Sequence, residues 1–282
     1  MNPLFRLPAL AAAATLLTLS TGRAQFASSV IEYLPGAGGS PGYDNPASAL
    51  GEPSRVTPGD FGGPVDPFAP AYLPSQLLSL GAGGSLTMRF DAPVRNDPLN
   101  PFGLDFLIFG NSGFMVTNEF DAEFNYIGVP ATDGSLFGTD GLAEVSVSVD
   151  GLEFFTLNPE LTPALDALFP TDGSGDFSQP VDPSLSYAQF AGLTLEGLRG
   201  LYAGSGGGAG FNLDWARDTS GAPVTLDEIR FVRVTVTSGR VEIDGLSAVV
   251  AVPEPSTLAL GGLGFGALWM GMHRRRRRSG NP

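Results

Sequence analysis

Leu86, Met88 and Phe90 alternate with Ser85, Thr87 and Arg89 in the stretch GSLTMRFDAP, and the same two-residue beat returns twice more. LAEVSVSVDG carries it on Val145, Val147 and Val149. IRFVRVTVTSG carries it on Val232, Val234 and Val236, set against Arg233, Thr235 and Thr237. Side chains repeat with period two in a strand and not in a helix, so each segment predicts a strand with one buried face. LDFLIFGN is apolar throughout and predicts a central strand covered on both faces. Weaker strands are expected in SSVIEYL, LEFFTL and VEIDGLSAVV, and Asp150-Gly151 between two strands marks a hairpin.

Helical periodicity is scarce. PALDALF and LTLEGLRGLY predict one or two turns each. Long Gly-, Pro-, Asp- and Asn-rich loops are expected over 35–76, 91–103, 158–190 and 203–223, a length that usually serves function or metal organisation. The glycine tract AGSGGGAGF at 203–211 has no lysine to cradle a phosphate and reads as a flexible loop. Many short strands with Gly/Pro-rich turns predict an all-β fold, an antiparallel β-sandwich of the jelly-roll type with long loops, occupying residues 25–251 as one domain.

Both ends differ from that body. Arg6 precedes the apolar run LPALAAAATLLTLS, and small residues at Gly22 and Ala24 complete the pattern of a signal peptide over 1–24. At the other end, 252–282 combines Pro253-Glu254-Pro255, an uncharged segment over 256–272, and the run Arg274, Arg275, Arg276, Arg277 and Arg278. As a helix those 17 residues span about 25 Å, the short limit for a bilayer core of about 30 Å. A single hydrophobic helix is expected there, with the arginines held on the cytoplasmic side.

Composition narrows the chemistry. There is no cysteine, and the only histidine, His273, lies beyond the apolar segment. Ser-His-Asp and Cys-His catalysis and histidine-ligated zinc are therefore absent from the body, and no catalytic residue is assigned. Eight arginines against 28 acids leave residues 25–252 with a net charge of −20. That field repels nucleic acid and anionic lipid and favours multivalent cations. Paired carboxylates are the one catalytic device left: a glycoside hydrolase working through such a pair is the alternative function, with Glu119, Asp121 and Glu123 as loose candidates.

The three-part order of the tail resembles the PEP-CTERM sorting signal of Gram-negative envelope proteins. The resemblance implies an exosortase-type processing enzyme as partner, transient residence in the inner membrane, removal of the tail near Pro253–Pro255, and delivery to the surface or the exopolysaccharide matrix. A plain tail anchor is the competing reading. Across the body, NPASALGEP, LLSLGAGGSLTMRFDAPVRND, FGLDFLIFGNSGF, AEVSVSVDGLEFFTL and IRFVRVTV…VEIDGLSAVVA follow one another in an order that resembles bacterial cell-surface proteins with discoidin-like, galactose-binding-like sandwiches. The layout departs from the related pattern at Gly110, where an acidic residue often stands.

Calcium is the expected cofactor, since hard cations take carboxylate, amide and carbonyl oxygens from loops. GYDNPASALG offers Asp44 and Asn45. The discoidin-like resemblance pairs such an early loop with the last strand, here Glu242 or Asp244. In TDGSGDFSQPVD, Asp172, Ser174 and Asp176 have the spacing of a calcium loop but lack its twelfth-position acid. Both stretches read equally well as Asp/Asn turns. Contact with exopolysaccharide or envelope glycans is assigned to Trp215 and Tyr202, although the alternation of Phe211, Leu213 and Trp215 also suits core packing. The expected function is a non-catalytic, exported envelope or matrix protein.

Overall fold

The structure is a computed structural model of the 282-residue chain and describes residues 25–123, 126–138, 141–165 and 169–251. The signal peptide expected over 1–24 and the sorting tail over 252–282 lie outside the described residues. No helix among the described residues is long and apolar enough to cross a membrane.

The strands run, in chain order, β1 (Ala27–Leu34), β2 (Val56–Thr57), β3 (Gly63–Pro64), β4 (Leu78–Gly81), β5 (Ser85–Arg95), β6 (Phe106–Phe109), β7 (Gly113–Val116) and β8 (Thr132–Phe137). They continue with β9 (Leu142–Ser148), β10 (Phe155–Leu157), β11 (Ala209–Phe211), β12 (Ala216–Arg217), β13 (Glu228–Ser238), β14 (Arg240–Ile243) and β15 (Gly245–Ala248). Among the described residues two α-helices, α1 (Tyr187–Phe190) and α2 (Leu195–Tyr202), interrupt them. The fold is all-β, and every strand pairing is antiparallel.

A six-stranded sheet in the order β1-β5-β13-β9-β10-β12 forms one layer. Its register sets Val232 opposite both Met88 and Val147, and Val234 opposite Leu86 and Val145. The alternation in the three sequences thus becomes one apolar face, with each of these side chains at most 2 % exposed. A three-stranded sheet, β11-β6-β15, has Phe106 to Phe109 as its centre, all four at 0 % exposure. Phe106, Ile108, Phe211 and Leu246 from this sheet, Leu80 and Val241 from the β14–β4 pair, and the face of the six-stranded sheet share one core cluster running from Ala27 to Ala248. Each fully buried Leu, Met or Phe there contributes roughly 1.5–3 kcal/mol.

Three expectations are corrected. Val149 is 46 % exposed, because β9 ends at Ser148, whose hydroxyl accepts the Gly151 amide and turns the chain. VEIDGLSAVV is two strands in two different sheets, split at Asp244. The glycine tract is packed rather than a free loop. Ser205 to Ala209 are buried, and a Cβ on Gly207 or Gly208, both at positive φ, would meet Pro170 O at 2.3 Å or the Phe109 ring at 2.8 Å. Glycine is required there for close backbone approach. LTLEGLRGLY forms α2 as expected, opened by the Thr194 hydroxyl accepting the Gly197 amide. Residues 166–168 of PALDALF lie outside the described residues.

Candidate functional site

Trp215 ends a short 3-10 helix, Leu213–Trp215, whose entry is fixed by two side chains. Asn212 Oδ1 accepts the Asp214 amide at 2.7 Å, and Asp105 Oδ2 accepts the Leu213 amide at 2.8 Å. Asp105 is fully buried and also accepts from Asn100 Nδ2 at 2.9 Å and the Asp97 amide at 3.3 Å. Burial pushes its carboxyl above the ordinary range, against those hydrogen bonds. One side chain therefore ties the 97–105 loop to the 212–215 turn.

Trp215, half-buried, packs against two core clusters and lines a cavity of about 270 Å³ with Phe102, Leu104, Phe169 and Pro180. Phe102 stands at the rim, 55 % exposed, with its backbone at φ 57. The recess is an apolar, aromatic cleft.

Tyr202 is not part of it. It is 2 % exposed, donates its hydroxyl to Pro170 O at 2.9 Å, and lies edge-on to Phe169 at 6.4 Å. Its ring offers no open face, so the expectation that it contacts a sugar is corrected: it backs Phe169, which forms a wall of the Trp215 cavity. Neither Phe102, in the 91–103 loop, nor Phe169, at the end of PALDALF, stands out in the sequence as a surface residue.

The expected carboxylate clusters are also rearranged. The early loop does meet the β14 end, but through serines. Ser40 Oγ donates to Glu242 Oε1 at 2.6 Å, and Ser54 donates to Asp244 through its amide and hydroxyl, both at 2.8 Å. Asn45 caps a 3-10 turn through Oδ1 to the Ala47 amide at 3.1 Å, and Asp44 is exposed. Glu242 also accepts from Asn111 Nδ2, while Asn111 Oδ1 is buried with no partner among the described residues. Burial raises the Asp244 carboxyl to about 7, against its bonds from Ser54.

Asp172 and Asp176 are each engaged by partners of their own. Asp172 is held by Arg199 at 2.7 and 3.0 Å and by Ser174. Asp176 Oδ1 accepts the Ser178 amide at 2.8 Å and its hydroxyl at 2.7 Å. The same Asp-x-Ser turn recurs at Asp133–Ser135 and Asp218–Ser220, so part of the acid excess is turn chemistry. Among the described residues no group of three or more His, Cys, Asp or Glu is gathered for a metal. Glu119, Asp121 and Glu123 are exposed in the loop between β7 and β8.

No curated protein matches this chain. Residues 251–277 match the PEP-CTERM protein-sorting motif, which takes in Pro253, Glu254, Pro255 and Arg274 to Arg277 and stops one residue short of Arg278.

Proposed function

We propose that the chain is an exported, non-catalytic component of the cell envelope or exopolysaccharide matrix, delivered by its signal peptide and trimmed by an exosortase-type enzyme. The sorting motif at 251–277 is the observation that carries this reading. Glu254 and its flanking prolines are the recognition element, the 256–272 segment is a temporary membrane anchor, and the arginines retain it on the cytoplasmic side. The body is assigned a galactose-binding-like jelly roll, and its contact with envelope glycans is placed at the Trp215 cavity. On the same reading, calcium is held near the early loop: Glu242, Asp244 and the unpartnered Asn111 Oδ1 are the hard oxygens closest to such a role.

The decisive experiment compares a host carrying an exosortase with its deletion strain, following the chain by immunoblot of membrane and external fractions. A shortened external form should appear in the first and a full-length membrane form should accumulate in the second. Glu254→Ala should reproduce the deletion phenotype. Identical fractionation in both strains overturns the proposal.

A further inference from the structure

A second recess, of about 440 Å³, shares no lining residue with the Trp215 cavity. The β2–β3 hairpin, the 66–72 segment and the end of β8 enclose it. Its volume falls within the range of small-ligand sites, roughly 300–1,000 Å³.

Three aromatic rings stand in water around it: Phe61 at 94 % exposure, Tyr72 at 44 % and Phe137 at 41 %. Phe61 is held in place. The Gly62 amide closes its hairpin onto Gly59 O at 3.0 Å, and the Tyr72 hydroxyl donates to Phe61 O, also at 3.0 Å. The Tyr43 hydroxyl in turn donates to Tyr72 O at 2.5 Å. With its backbone held and its ring turned outward, this phenylalanine gains almost no hydrophobic stabilisation from the fold's own contacts.

Thr57 adds a second, independent sign. It lines the recess at 4 % exposure, and its Oγ1 has no hydrogen-bond partner among the described residues. A buried hydroxyl left unmatched costs on the order of 1–3 kcal/mol, which a valine of the same shape avoids. The one acidic lining residue is Asp66, whose Oδ1 accepts the Phe68 and Ala69 amides, and no lining residue is cationic. A ligand that fits presents flat C–H faces to the rings and a hydroxyl donor to Asp66, reaches Thr57, whose Oγ1 is shut off from solvent, only when that hydroxyl turns into the recess, and carries no negative charge. A proline-rich peptide suits aromatic grooves but brings few donors.

We infer that this recess is a binding subsite for a neutral saccharide, stacked on Phe61 and Tyr72 and hydrogen-bonded to Thr57 and Asp66. It takes its ligand class from the glycan reading above and adds a site of its own.

The test is calorimetric titration of the full chain, purified in mild detergent, with galactotetraose, mannotetraose, cellotetraose, the anionic tetraguluronate and a decaproline peptide. At least one neutral tetrasaccharide should saturate, and tetraguluronate and decaproline should not. Phe61→Ala should weaken that binding about tenfold or more, and its exposure makes a folding defect unexpected. Thr57→Val should weaken binding about threefold while leaving Tm unchanged or higher, because the hydroxyl has no partner to lose. If a neutral tetrasaccharide binds and both variants stay within about twofold of wild type, the subsite is wrong and the glycan reading stands on Trp215 alone. If no neutral tetrasaccharide binds, both fall. A drop in Tm for Thr57→Val, or saturable decaproline binding, also overturns the subsite.

Discussion

Asp172 and Asp244 are both shut off from solvent, at 1 % and 2 % exposure, yet their carboxyls move in opposite directions. Burial pushes Asp172 up, but the Arg199 guanidinium and the two bonds from Ser174 outweigh it and hold the carboxyl below its ordinary value. Burial pushes Asp244 up too, and the two bonds from Ser54 do not compensate, so it stays near 7. The difference lies in the partner and in the depth together: Asp244 sits farther inside the protein and is desolvated more, and only Asp172 has a formal positive charge to offset that cost. Asp172 therefore adds stability above the ordinary carboxylate range, and this is lost as pH falls through its depressed folded value. Asp244 works the other way: its contribution is full below about pH 4, falls between about 4 and 7, and is gone above 7.

The largest effect that can break this contrast is Asp244→Asn. The amide keeps an oxygen for Ser54 and cannot ionise. A carboxyl near 7 instead of near 4 costs on the order of 4 kcal/mol to ionise in the folded state, as an upper bound. The variant should therefore melt several degrees above wild type at pH 8 and close to it at pH 4. Equal melting curves at pH 8 would remove Asp244 as a strained group. Calcium sharpens the same comparison. If the ion uses Asp244, millimolar calcium should raise the wild-type Tm at pH 8 and leave that of Asp244→Asn unmoved, and no shift in either removes the calcium proposal.

Arg199→Met ranks next. It leaves Asp172 buried with only serine and amide partners, so Asp172 should come to behave like Asp244. A loss of about 2 kcal/mol is expected near neutral pH, below the usual figure for a broken buried pair because the Arg199 side chain is 40 % exposed. Denaturation at pH 4, 6 and 8 should show a loss that grows with pH, and a loss growing toward acid would contradict the contrast. The smallest effect is Ser54→Ala, which removes one of two donors to Asp244. It should cost about 1 kcal/mol at pH 8 and little at pH 4, measured by denaturant midpoint.

Much of the fold was legible because it is written in neighbours. Leu86, Met88 and Phe90 announce a buried face two residues at a time, and the continuous apolar run in LDFLIFGN marks a strand hemmed in on both sides. The Asp-x-Ser turns are equally local, each closed within two residues. The candidate sites were less legible. Trp215 stands out as the body's only tryptophan, but nothing local distinguishes it from Tyr202, whose ring is packed inside. Phe61 gave no signal: a phenylalanine in a Gly- and Pro-rich loop reads the same whether its ring turns inward or outward.

The sequence by itself determined the strand faces, the turn chemistry, the absence of histidine and cysteine from the body, and the three-part tail. Each depends on residue type or on spacing within a few positions. Only the tertiary structure decided that Ser40 meets Glu242 across 202 residues and Ser54 meets Asp244 across 190. It alone gave Asp172 an arginine and Asp244 none, and packed the glycine tract against Phe109 and Pro170. Such pairings follow from how the strands are ordered across the sheets, which no short window of sequence encodes.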